Sequence, residues 1–126
     1  DGPIMGLLIV EMIAAANKSL YEMVNDLLED VGPALYERVD LRLSRPVAKA
    51  EMTELLTKKA PSEIGGQKVE EVSQRDGVKY IMADDSWLLI RPSGTEPVLR
   101  VYAEGRTHEM VKALLGYGEQ VAKSVV

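Results

Sequence analysis

The sequence predicts an α+β fold: a four-stranded antiparallel sheet with its helices on one face, ordered β-α-β-β-β-α over residues 34–126 and preceded by helices of another domain. Three observations carry that expectation. Apolar residues recur at helical spacing in Leu20–Leu28 and again in Met110–Leu115. Between these regions lie short segments such as Leu35–Leu43, in which apolar and charged residues alternate as they do in half-buried strands. Asp76-Gly77 separates "KVEEVSQ" from "VKYIMA", and Asp-Gly supplies the positive φ angles that tight hairpin turns demand.

The first element opens on "DGPIMGLLIVEMIAAA". Asp1 can N-cap a helix, with Pro3 in its first turn, where a missing N–H costs nothing. Ile4, Met5, Leu7, Leu8, Ile9, Val10, Met12 and Ile13 then cover nearly every face, and a helix apolar all round is buried all round. The run is shorter than the ~20 residues of a bilayer span. It also lacks the basic start of a signal peptide. No Met opens the chain, so residues 1–33 read as the C-terminal helices of a preceding domain plus a hinge. Residues 4–16 are then a surface through which the chain can self-associate. Ser19 caps a second helix, and Gly32 and Pro33 stop it.

From residue 34 "ALYERVDLRLS" sets Leu35, Val39, Leu41 and Leu43 against charged partners, as one strand. Ser44 and Pro46 open a helix that carries Val47, Met52, Leu55 and Leu56 to about Ala60, and "PSEIGGQ" reads as a loop. After the hairpin, "DDS" turns the chain into "WLLIR", and "VLRVYAEG" is a further strand. Thr107 caps a last helix that buries Met110, Val111, Leu114, Leu115, Val121, Ala122 and Val125. Gly116 and Gly118 inside that helix cost about 1 kcal/mol each against Ala, so they mark close packing.

Composition narrows the function. With 126 residues the chain is one ordinary domain, or one domain plus a part of another. Zero cysteines exclude a disulfide scaffold and thiolate chemistry, and they suit a reducing, cytoplasmic setting. A net charge of −5 argues against nucleic-acid binding, which needs a surplus of Lys and Arg. One His rules out a His-rich metal site. A single Trp and no Phe leave little for a base-stacking platform.

The stretch that these elements leave unexplained is "RPSGTEPVLR" (Arg91–Arg100). Strand residues alternate faces, so Arg91 shares a side with Trp87 and Leu89 and stands where the strand ends. Between Pro92 and Pro97 lie Ser93, Gly94 and Thr95: two hydroxyls and a glycine that lets backbone N–H groups turn inward as an anion nest. A guanidinium fork suits bidentate contact with phosphate. The residues alone fit two readings, a tight polar turn between strands or a phosphate cradle.

The seven residues "RPSGTEP" are preceded by Asp76-Gly77-Val78-Lys79 and by Asp85-Ser86-Trp87-Leu88-Leu89-Ile90, and followed by "VLRVYAE". Together they resemble the C-terminal phosphate-binding loop of the α-D-phosphohexomutases, the family of phosphomannomutases, phosphoglucomutases and phosphoglucosamine mutases. The likeness runs through most of residues 67–126. It extends more loosely to Asp1-Gly2 and the apolar helix, which resemble the end of the family's third domain. The resemblance implies a fourth domain whose architecture is like the saddle of TATA-binding proteins. It further implies an isomerase that moves a phosphoryl group between the 1- and 6-hydroxyls of a hexose, by way of a phosphoserine and a bisphosphate intermediate. On this resemblance Arg91, Ser93, Gly94 and Thr95 bind the phosphate that is not reacting, and Glu96 and Arg100 support them.

The phosphoserine and the Mg2+ that the resemblance implies belong to loops upstream of Asp1, so the chain alone is expected to be inactive and to bind no metal. Asp84-Asp85, in a turn, and Glu70-Glu71, on a strand whose residues alternate faces, read as solvated surface. Ser93 has no neighbouring base, since His108 starts the last helix, so it is no activated nucleophile. The expected partners are a hexose phosphate and the upstream domains, with neither nucleic acid nor membrane. The competing class is a stand-alone module that binds an anion or a protein, without an enzymatic role.

Overall fold

In the computed structural model, which describes residues 1–124, the chain divides after Pro33 into two units. The first holds α1 (Gly2–Ala16) and α2 (Leu20–Val31). Their ends are set locally. Asp1 Oδ1 accepts the Ile4 N–H at 3.3 Å. Ser19 and Glu22 exchange bonds as a capping box, with Ser19 Oγ accepting from Glu22 N at 3.2 Å and Glu22 Oε2 from Ser19 N at 2.8 Å. Gly32, at φ 92°, ends α2 by donating its N–H to Leu28 O at 2.9 Å.

Neither helix buries a residue. The all-round apolar surface that predicts burial is open here: Leu7 is 70% and Val10 62% exposed. Each such side chain forgoes about 1.5–3 kcal/mol relative to burial. The chain should therefore self-associate in a concentration-dependent way, and a chain starting at Pro33 should not. Sedimentation of the two side by side checks this, and equal monomeric behaviour at high concentration would refute it. No single helix among the described residues is long and apolar enough to cross a membrane. α1 and α2 together have the length and composition, but they are bent by 85° at their junction.

The second unit holds β1 (Leu35–Arg42), α3 (Lys49–Lys58), β2 (Glu63–Ile64), β3 (Gln67–Ser73), β4 (Val78–Met82), β5 (Trp87–Pro92), β6 (Val98–Gly105) and α4 (His108–Ser124). All pairings are antiparallel, in the order β1-β6-β5-β4-β3-β2. The class is α+β as expected, but the sheet has six strands instead of four. The four segments after α3 that alternate or run apolar each form a strand. In "PSEIGGQ", expected as a loop, Gly65 and Gly66 sit at φ 59° and 79° and fold Glu63-Ile64 back onto Gln67-Lys68. That hairpin lets Ile64 reach the core.

The buried faces follow the strand period. Val78, Tyr80 and Met82, Leu88 and Ile90, and Leu99, Val101 and Ala103 point to one side in matched register. Both helices cover that side. From α3, Met52 and Leu56 enter the core, and Leu56 O accepts the hydroxyl of buried Tyr80 at 2.8 Å. From α4 come Met110, Val111, Leu114, Leu115, Val121 and Ala122, while Val125 lies outside the described residues. Thr107 Oγ1 accepts the Met110 N–H at 3.2 Å, as its cap. Gly118 is a close-packing position, since a Cβ there would lie 2.5 Å from Val101 Cγ1. Gly116 is not, since a Cβ there would meet nothing within 4 Å among the described residues.

Two local expectations need correction. α3 begins at Lys49, not at Ser44–Pro46. Leu43 and Val47 are both buried, and Leu43 N donates to Pro97 O at 2.8 Å, which keeps the connecting segment out of helical geometry. In the β3–β4 turn only Gly77 has a positive φ, 88°, and the link spans Gln74–Gly77 instead of a two-residue turn.

Candidate functional site

Alternation along β5 buries Leu88, Ile90 and Pro92 and turns Trp87, Leu89 and Arg91 to the open face. Arg91 thus ends β5 at the mouth of the Ser93–Pro97 loop. Ser93 N donates to Val98 O at 2.8 Å and Val98 N to Glu96 O at 2.7 Å, which closes the loop tightly. The Leu43–Pro97 bond ties the loop to the chain leaving β1.

The loop borders a cavity of about 360 Å³, lined by Arg91–Glu96 and by Pro46–Lys49. The second wall is the entry to α3. Its N-cap, Ala48, offers no side-chain hydrogen bond, so the first turn keeps orphan N–H groups and their partial positive charge. Arg91 and Lys49 stand on the rim with the carboxylate of Glu96, a set of groups whose two cations can attract an anion. One part of the expected cradle is absent. Gly94 does not adopt a positive φ, and neither do its loop neighbours among the described residues, so no nest of alternating backbone hand forms. Gly94 contributes space instead: a Cβ there would meet nothing within 4 Å.

Charges are paired at the end of β5 and along the open face. Arg91 Nη1 lies 3.2 Å from Asp76 Oδ2, and Lys49 Nζ lies 3.2 Å from Asp76 Oδ1. Arg100 stands opposite Arg91 in the β5–β6 register and opposite Asp40 in the β1–β6 register. Two guanidinium groups facing each other repel, and Asp76 and Asp40 flank them. Hydrogen bonds from Arg38, and then the charges of Arg38 and Arg100, hold the Asp40 carboxyl below its ordinary range against the opposing effect of burial. Arg100 Nε is buried with no hydrogen-bond partner among the described residues.

Arg91, Ser93, Gly94, Thr95 and Glu96 therefore come together at one cavity, whereas Arg100 lies one strand away and does not line it. Lys49 escaped the sequence reading, and Asp76 entered it only as a turn residue beside the motif. Lys49 did leave a signal, because a cation in a helix's first turn opposes the macrodipole and so conflicts with local preference. His108 begins α4 and lines no part of the cavity.

The acidic pairs are otherwise engaged or solvated. Asp84 Oδ1 accepts Ser86 N at 3.0 Å, and Asp85 sits 3.9 Å from Arg106. A bulge between Val69 and Glu71 breaks the alternation expected there, so Glu70 and Glu71 are both exposed. Among the described residues no three His, Cys, Asp or Glu side chains are grouped to hold a metal ion.

Residues 41–116 match the family described as "Phosphoglucomutase/phosphomannomutase, C-terminal domain". Over 126 residues the chain is 32% identical to the "Probable phosphoglucosamine mutase" of Methanosphaera stadtmanae, a match covering 100% of this chain and 26% of that protein. Over 123 residues it is 33% identical to the "Phosphoglucosamine mutase" of Methanococcus aeolicus, covering 98% and 25%. Over 121 residues it is 31% identical to the "Phosphoglucomutase/phosphomannomutase" of Thermococcus kodakarensis, covering 94% and 23%. The chain thus spans about a quarter of the length of these curated relatives.

Proposed function

Because the chain belongs to the phosphoglucomutase/phosphomannomutase family, through that family's C-terminal domain, we propose that it is the part of a phosphohexomutase that grips the substrate phosphate not undergoing reaction. The whole enzyme would be a cytoplasmic isomerase that interconverts hexose 1-phosphates and 6-phosphates, amino sugars included, through a bisphosphate intermediate. Residues 1–33 would be the helices that end the domain before it.

The observation that supports this reading is the convergence of Arg91, Ser93, Gly94, Thr95 and Lys49 on one cavity of about 360 Å³. A mutase must accept its sugar in two opposite orientations, and what both share is a distal phosphate dianion. Binding that remote group positions the reacting end. Arg91 and Lys49 supply charge, the hydroxyls of Ser93 and Thr95 supply donors, and Gly94 leaves room for the phosphate to approach. Such a role requires neither base nor nucleophile from this chain. Glu96 lies on the wall as an acceptor for a sugar hydroxyl or a loop donor, and Arg100, across the strand pair from Arg91, adds to the positive potential that meets an arriving dianion.

The Mg2+ of such an enzyme does not fit the residues present here. Asp76, the carboxylate nearest the cavity's cations, is committed to Arg91 and Lys49, and no metal-holding group occurs among the described residues. The ion would be held by the enzyme's other domains, and the residues here act on the phosphate alone.

Titration of the chain with glucose 6-phosphate, followed by amide NMR, tests the proposal. Binding should be weak, because one wall of a larger site is acting alone, and the shifts should concentrate at Arg91–Glu96. Arg91→Ala should remove them. Shifts that fall mainly elsewhere and survive Arg91→Ala would refute the proposal.

A further inference from the structure

Two cations on the cavity rim share one carboxylate, and the fold takes some trouble to put it there. Gly77 brings the β3–β4 turn down onto β5. A Cβ on it would lie 2.6 Å from Ile90 O and 3.1 Å from Arg91 Cβ, so only glycine seats Asp76 this close. Asp76 is not itself a wall of the cavity. Its two oxygens are divided, one to Arg91 and one to Lys49, each at 3.2 Å. Arg91 meets it as an ion pair, without the bidentate hydrogen bonds that Arg38 gives Asp40. The side chains of Arg91, Asp76 and Lys49 are 43%, 54% and 61% exposed, and pairs that open to solvent are held weakly and exchange readily.

We propose that Asp76 is an internal stand-in for the ligand's phosphate: it gathers Arg91 and Lys49 while the site is empty and gives up both when a phosphate dianion arrives. The inference rests on the phosphate reading of the cavity. A dianion brings two charges to the same two cations and displaces the single carboxylate, whereas a neutral sugar brings none and does not. Asp76 therefore competes with the ligand, and its charge opposes any approaching anion. It sets a threshold that favours phosphorylated sugars over free ones.

The test is titration of the chain with inorganic phosphate, read at the amides of Arg91–Glu96, for the wild type, Asp76→Asn and Arg91→Ala. Removing the competing charge should tighten binding in Asp76→Asn by about three- to tenfold at low ionic strength, a gain that shrinks as salt screens the charges. Arg91→Ala should abolish the response. Asp76→Ser should reproduce the gain, which separates loss of charge from any effect of asparagine on the turn, and thermal unfolding shows that the variants fold. A wild type that binds at the loop while both Asp76 variants bind equally or more weakly would overturn the inference alone. So would variants that no longer fold, since Asp76 would then be structural. No phosphate-dependent shift at Arg91–Glu96 in any of the proteins would overturn the cavity reading, and the inference with it.

Discussion

Gly77→Ala should destabilise the chain by about 2–4 kcal/mol. Two costs add at this position. A φ of 88° is open to glycine and strained for alanine, at a cost of about 1–2 kcal/mol. The new Cβ would also sit 2.6 Å from the Ile90 carbonyl oxygen, a backbone atom of a central strand that cannot swing aside as a side-chain tip can. Relief requires the β3–β4 turn to lift from β5, which moves Asp76 away from Arg91. Gly66→Ala is the matched control. Gly66 has a similar φ, 79°, but a Cβ there meets nothing within 4 Å, so only the conformational cost applies. Urea unfolding should show the larger loss for Gly77→Ala. Equal losses would mean that the turn is not held against β5.

Arg91→Lys in the whole enzyme should lower kcat/KM by about a hundredfold, or ~2.7 kcal/mol of transition-state binding. Lysine keeps the charge but replaces a planar fork with one rotatable ammonium, and a phosphate held by one point contact no longer fixes the sugar's far end. On the proposed role, in which a single loop meets the distal phosphate in either orientation, the loss should be the same for 1-phosphate and 6-phosphate substrates. A defect confined to one substrate would contradict that shared role.

What the sequence disclosed is what local chemistry decides. Asp1, Ser19, Gly32 and Thr107 cap helices through atoms three or four residues away, and each does so here. The same holds for Arg91–Glu96, whose placement on one cavity follows from a strand end and a short loop. The features missed are those decided at long range. The β2 strand needs Gly65 twice, for its φ of 59° and for its approach to α4, where a Cβ would lie 2.9 Å from Met110 Sδ; the Gly-Gly pair signals the turn, but nothing in the segment records that contact. The delayed start of α3 depends on burial of Leu43 and Val47. Lys49 and Asp76 join the site only because α3 and the β3–β4 turn meet β5 at the same place, and no spacing in the sequence records that meeting. The missing nest at Gly94 is the opposite case: glycine permits a left-handed turn but does not require one.

The place of β1 in the sheet governs the order in which the chain can assemble. Strands β3 to β6 follow one another as neighbours, so each can zip onto the last across a short turn. β1 comes first in the sequence yet pairs only with β6, which is made last. Its docking closes a loop that contains nearly the whole unit, an entropic cost that grows with loop length and slows non-local pairing. Until β1 arrives, β6 presents a bare edge, which is a template for pairing with another chain. Arg100 and Glu104, alternating along that edge with Val101 and Ala103, place charges where a second molecule would otherwise add. The cation that faces Arg91 in the finished sheet thus also guards the unfinished one.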